Sequence, residues 1–149
     1  MALLSDIDAK LKEAMLARDQ FLTGVLRDLK SAFLYDEVAK GKREEGLSDE
    51  EMQAVIAKEV KKRDDAIEIY TNAGDKERAE KEKLEREVLV IFLPEQLTDD
   101  ELIEIIKKII TDGSFTTKDM GRVIGNTKTE VGVRGDGAKI AKLTKELLQ

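Results

Sequence analysis

Acidic side chains are the abundant groups in this chain best suited to both acid–base and metal chemistry. The 149 residues include 32 Asp and Glu, no histidine and no cysteine. The commonest general base, the commonest metal ligand and the thiolate nucleophile are therefore all missing. Carboxylates cluster at Glu44-Glu45, Asp49-Glu50-Glu51, Asp64-Asp65 and Asp99-Asp100-Glu101. Paired acids can act as general acid and base, or hold a hard cation. Their positions argue for something plainer. Asp49–Glu51 and Asp99–Glu101 fall in expected first helical turns, where negative charge offsets the helix dipole. No calcium-loop pattern is present. The expectation is no catalytic residue, no metal site and no cofactor.

The second chemical feature is a basic, glycine-punctuated tail. From Lys118 to Gln149 there are seven basic and four acidic residues, against nineteen and twenty-eight in the preceding 117. Half of the ten glycines lie there: Gly121, Gly125, Gly132, Gly135 and Gly137. Gly135-Asp-Gly-Ala-Lys139 resembles a phosphate-cradling loop superficially. It lacks the Gly-Lys-Ser/Thr ending and a preceding strand. Glycines ahead of a helix expose backbone N–H groups at its positive end. A tight turn that needs positive φ is the favoured reading, and the two are compatible. Gly121 and Gly125, four residues apart on one helix side, each cost about 1 kcal/mol relative to alanine. Something must approach closely there: the seventh helix, which is favoured, or a sugar–phosphate backbone. Lys139, Lys142 and Lys145 form a stripe that a solvated face would explain. Arg122, Lys128 and Arg134 join it within one short module, and phosphate is the simplest partner for such a cluster. Phe115 is the one aromatic nearby, so base stacking is poorly supported. Elsewhere, helical phase puts Arg63 on an apolar face, as an internal ion-pair partner with Glu59 one turn back as the candidate, and leaves Arg27 accessible.

Apolar residues at helical spacing, with a single proline at Pro94, place these groups on an all-α scaffold of seven helices. The first is expected to start at Ser5. The second runs over about 20–39 with Phe21, Val25, Leu29 and Phe33 inward. The third starts at a Ser48/Glu51 capping box with a Leu47–Met52 staple, and its core face includes Ile67 and Tyr70. Asp75 caps the fourth, which carries Leu84, Val88, Ile91 and Phe92 and ends at Pro94. Thr98/Glu101 repeat the capping box for the fifth, and Asp112-Gly113 stop it. Thr117 caps a short sixth helix, a glycine loop follows, and Asp136 caps the seventh. The break at Pro94–Thr98 suggests an N-terminal bundle of about four helices over 1–94 and a small three-helix domain over 95–149.

The longest apolar run, Val88 to Leu93, is far short of the about 20 residues a membrane span needs. Met1-Ala-Leu-Leu-Ser-Asp6 lacks a basic start and a long apolar stretch, so no signal peptide is expected. A cytoplasmic, membrane-free protein follows, with a monomer favoured.

Ala14-Met15 with Arg18, Val25-Leu-Arg27, Ser31-Ala32, Val60-Lys-Lys-Arg63, Phe92-Leu-Pro-Glu-Gln-Leu97, Asp119-Met-Gly-Arg-Val-Ile-Gly125 and Arg134-Gly-Asp-Gly-Ala-Lys139 occur in this order over nearly the whole chain. Together they resemble the YqeY-like (GatB/YqeY domain) family. The resemblance implies an all-helical protein whose tail is similar to the C-terminal domain of the GatB subunit of tRNA-dependent amidotransferase. That enzyme amidates Glu-tRNA(Gln) or Asp-tRNA(Asn) with glutamine as nitrogen donor, and its tail helps bind tRNA. Carried over, Lys118, Arg122, Lys128, Arg134, Lys139 and Lys142 become candidate tRNA contacts. Gly121, Gly125, Gly135 and Gly137 become points of close backbone approach. The partners implied are tRNA or the amidotransferase and aminoacylation machinery. The stretch Asn126 to Val133, read as a loop, departs from the usual pattern, and Glu130 dilutes its charge. Carbon–nitrogen ligase activity with glutamine as amido donor is the label the resemblance carries. It is read as inherited, because the chain has no Ser-Ser-Lys arrangement and no nucleotide site. A protein–protein assembly module is the alternative, and a small carboxylate enzyme comes third.

Overall fold

The computed structural model describes residues 2–149. Among them there are seven α-helices, two short 3-10 turns and no strand. The chain divides into two compact units, meeting in sequence between Leu93 and Pro94. Each is described by itself.

The first unit holds α1 (Ala2–Leu16), α2 (Gln20–Ala39), α3 (Asp49–Asn72) and α4 (Lys76–Val90). Helix α1 begins three residues before the expected Ser5, because Leu3 and Leu4 already pack against the core. The chain turns away two residues past its end, at Arg18, whose φ of 57° is left-handed. Asp19 then caps α2, its carboxylate accepting from Leu22 N–H at 3.0 Å. Helix α2 buries Val25, Leu26, Leu29 and Phe33. Phe21, expected inward, is exposed; Leu22 and Leu26 occupy that part of the core instead. The Ser48/Glu51 box is complete, with both reciprocal bonds at 3.1 Å, and the stapling Leu47 and Met52 are buried. Ile67 and Tyr70 are only half-buried, and Leu84 is exposed, so the core face of the α3–α4 pair is narrower than periodicity suggests. Charge fills the remainder. Arg63 reaches Glu85 at 3.1 Å, Glu59 at 3.5 Å and Glu82 at 3.6 Å, and Arg86 pairs with Asp64. The Arg63 Nε contact with Glu85 is an ion pair and not an aligned hydrogen bond. Burial, followed by the neighbouring Glu82 charge, pushes the Glu85 carboxyl above its ordinary range.

The second unit holds α5 (Asp99–Gly113), α6 (Met120–Val131) and α7 (Gly137–Leu148), with 3-10 turns at Thr117–Asp119 and Gly132–Arg134. Its core is Leu97, Leu102, Ile106, Val123, Val131, Ile140 and Leu143. Two expectations change here. Helix α5 ends at Gly113 but the glycine does not supply the left-handed turn, and the Phe115 ring lies where its Cβ would project. Ser114 takes the left-handed position instead, at φ 51°. Helix α6 also continues through Asn126–Val131, the stretch read as loop. Thr127 and Thr129, poor helix formers, donate their hydroxyls back to Val123 O (2.7 Å) and Gly125 O (3.0 Å). Burial of Thr127 and Val131 then overrides local propensity. Among the described residues no helix is long and apolar enough to cross a membrane.

Candidate nucleic-acid interface

The six candidate tRNA contacts, Lys118, Arg122, Lys128, Arg134, Lys139 and Lys142, all lie in the second unit and are all exposed. Three of them belong to α6 and the turn before it. Lys118 sits in the 3-10 turn, which Thr117 ties to the end of α7 by donating its hydroxyl to Leu148 O at 3.2 Å. Arg122 lies one turn on, its guanidinium carbon 5.8 Å from the centroid of the Phe115 ring. That is cation–π distance. Gly113 lets the ring lie close, so α5 positions Arg122 through Phe115. Lys128 lies at the other end of α6. Its Cε and Nζ come to 3.3 and 3.5 Å of the point where Gly137 would carry a Cβ. The Lys128 side chain thus lies beside the first residue of α7.

Between Arg122 and Lys128 the outer face of α6 carries two glycines and one short side chain. Gly121, Gly125 and Thr129 follow one another there at helical spacing. A Cβ on Gly121 or Gly125 would meet nothing within 4 Å. The favoured expectation that α7 packs on these glycines is therefore corrected, since α6 turns Val123, Thr127 and Val131 inward instead. Gly135 behaves oppositely: a Cβ there would strike the side chains of Val131 and Ile140, so its close approach is internal. Gly137 faces the Lys128 side chain. The residue that needs a left-handed glycine is Gly132, at φ 56°.

Arg134 and Lys139 form a second, different group. The Arg134 carbonyl accepts from Leu97 N–H at 2.8 Å. Gln96 Nε2 donates to Val133 O at 2.8 Å and to Pro94 O at 3.0 Å. The Pro94-Glu-Gln-Leu97 stretch thus straps down the turn that carries Arg134. Both cations look toward the acidic start of α5. Lys139 Nζ is 3.2 Å from Asp99. The Glu101 carboxyl is lowered, chiefly by hydrogen bonds from Thr98 and lastly by the Arg134 charge. Lys142 is exposed one turn beyond Lys139, with no carboxylate within 4 Å among the described residues. The structure brings Arg134 and Lys139 to the α5 acids, and Lys128 to Gly137. Sequence patterning missed the Asp99 partner and the Gln96 strap, because both join segments far apart in the chain.

Among the described residues no group of three or more acids is arranged to hold a metal. An open depression lined by Val38, Gly41, Arg43, Glu44 and Glu45 carries both charge signs and no nucleophile. Arg63 is the internal ion-pair residue already described, and Arg27 is exposed. What the second unit offers is exposed cations around a helix face of two glycines and one short side chain. Such a face admits a flat or ridged anionic surface.

A family model described as Yqey-like protein matches residues 4–148. No curated protein matches the chain.

Proposed function

The chain belongs to the Yqey-like protein family, and from that premise we propose that it is a non-catalytic, tRNA-associated binding module. In this reading the unit from Pro94 onward is a GatB/YqeY-type tail, and the preceding helices are a separate N-terminal domain. The protein works in the cytoplasm beside the amidotransferase or aminoacylation machinery. The ligase label of the multidomain relative does not extend to an activity of this chain.

One observation carries the reading. Lys118, Arg122 and Lys128 have no carboxylate within 4 Å among the described residues, and Gly121 and Gly125 keep the surface beside them open. A phosphate backbone could reach the helix there at the distance two cations need. Arg134, Lys139 and Lys142 extend the positive surface. Lys139 would exchange its exposed Asp99 partner for phosphate at little cost, since such pairs contribute about 0–1 kcal/mol.

The test is a tRNA titration at low and moderate salt. Binding should weaken steeply as salt rises, with a log–log slope of about −0.9 per neutralised phosphate. The combined Arg122→Glu, Lys128→Glu, Arg134→Glu variant should lose most of that slope. Salt-insensitive or absent binding, or parental binding by the variant, would sink the proposal. Retention of a single protein partner by the first unit would then favour the assembly-module alternative. Glutaminase turnover by the purified chain would overturn its non-catalytic part.

A further inference from the structure

The outer face of α2, in the first unit, has no role in the tRNA reading. Opposite its buried residues, Gly24, Arg27, Ser31, Leu34 and Val38 follow one another at alternating three- and four-residue steps. That spacing keeps one seam along a helix. Leu34 is 45%, Tyr35 81% and Val38 57% exposed. Gly24 is exposed with nothing within 4 Å of a would-be Cβ. No packing inside the chain accounts for a glycine in the interior of this helix. The chain as a whole is 39% charged, yet the seam holds one charge, Arg27, with Asp28 beside it. Depletion of Lys and Glu, with Tyr35 and Arg27 retained, matches the composition of a protein interface. One arginine next to an aspartate is a poor phosphate surface.

We propose that this face is the two-fold interface of a homodimer, in which two α2 helices pack antiparallel. The seam is complementary to itself in that direction alone. Antiparallel pairing about an axis level with Leu29 sets the small end, Gly24, against Leu34 of the second copy. It also brings Arg27 and Asp28 of each copy within about 3 Å of the axis along the helix, where each arginine reaches the other copy's aspartate. Parallel pairing would put Gly24 on Gly24, leaving a void, and Arg27 on Arg27, with like charges opposed. Met15 holds Arg27 in place, its sulfur 3.8 Å from Nη2. A single helix pair about 28 Å long gives an interface at the small end of the specific range. The dimer is therefore concentration-dependent.

Sedimentation of the full chain from about 1 μM to about 1 mM spans the Kd range such a contact can give. The average mass should rise toward twice the chain mass. Leu34→Glu should stay monomeric throughout, and so should Gly24→Leu, which fills the hollow. Arg27→Glu should lose the dimer, and Arg27→Glu with Asp28→Arg should regain it, an outcome no folding defect could mimic. Because the chain has no cysteine, Ser31→Cys gives one thiol near the axis. A short bis-maleimide should join two copies through it far faster than through Glu80→Cys on α4. A parent that stays monomeric over the whole range overturns the proposal and leaves the face to another protein. So does a dimer that survives Leu34→Glu, a charge swap that restores nothing, or equal cross-linking at residues 31 and 80.

Discussion

The α3–α4 pair and the α6–α7 pair use the same residue types for opposite ends. In α3–α4, arginine is enclosed: Arg63 sits among Glu59, Glu82 and Glu85, and Arg86 against Asp64. In α6–α7, arginine is displayed: Arg122 lies over Phe115, and Arg134 is exposed with no carboxylate within 4 Å among the described residues. An enclosed cation is spent on the fold. A displayed one keeps its charge for something outside. Glycine divides in the same way, internal at Gly135 and open at Gly121 and Gly125.

The largest expected effect tests the enclosed side. Arg63→Ala strips the counter-charge from three half-buried carboxylates. It should cost about 2–3 kcal/mol in urea unfolding, less than the 3–5 kcal/mol of a fully buried pair, because a fifth of the Arg63 side chain is exposed. Arg122→Ala should change stability by less than about 0.5 kcal/mol. Equal losses from the two would erase the distinction.

A smaller pair of effects, of opposite sign, tests the glycines. Gly135→Ala should destabilise by about 1–3 kcal/mol, the usual cost of overpacking, because Val131 and Ile140 must move. Gly125→Ala should stabilise by up to about 1 kcal/mol through helix propensity, while weakening tRNA binding if a backbone approaches there. Thermal melts and a tRNA titration of the two variants check both halves. Stabilisation with unchanged tRNA affinity would leave the open face without a nucleic-acid role.

The same division shows what the sequence made legible. Helix starts were readable because capping is local: Ser48 with Glu51, Thr98 with Glu101, and Asp75 before α4 all act within three residues. The all-helical class followed from periodicity. The errors lie where a distant group decides. After α5 the left-handed position falls to Ser114 rather than Gly113, with the Phe115 ring packed over the glycine. Leu3 and Leu4 extend α1 forward by packing on the core. Burial of Thr127 turns an expected loop into helix. For the candidate site, the cations and glycines could be named from their clustering. Which of them face acids, as Lys139 faces Asp99, depends on how α5 lies beside α7.

The smallest expected effect separates the two capping boxes by pH. Hydrogen bonding from Lys42 first, then from the Ser48 backbone, lowers the Glu51 carboxyl from its ordinary 4.5 to about 2. Lys40 adds a second cation 3.4 Å away. Glu101 is lowered as well, but by Thr98 chiefly, with Arg134 as its one charged helper. A carboxyl depressed in the folded state contributes stability that is fully present above its unfolded value. That contribution is lost as pH falls through the folded value. The Glu51 contribution should therefore fade between about 4.5 and about 2. Glu51→Gln should lower the urea midpoint at neutral pH and approach the parent as acid is added. Glu101→Gln should do the same with a smaller amplitude, since its charged support is a single arginine. Added salt should shrink the Glu51 difference more than the Glu101 difference, because exposed charge pairs are screened and backbone caps much less so. If salt moved both equally, the lysines around Glu51 would contribute nothing beyond the cap itself.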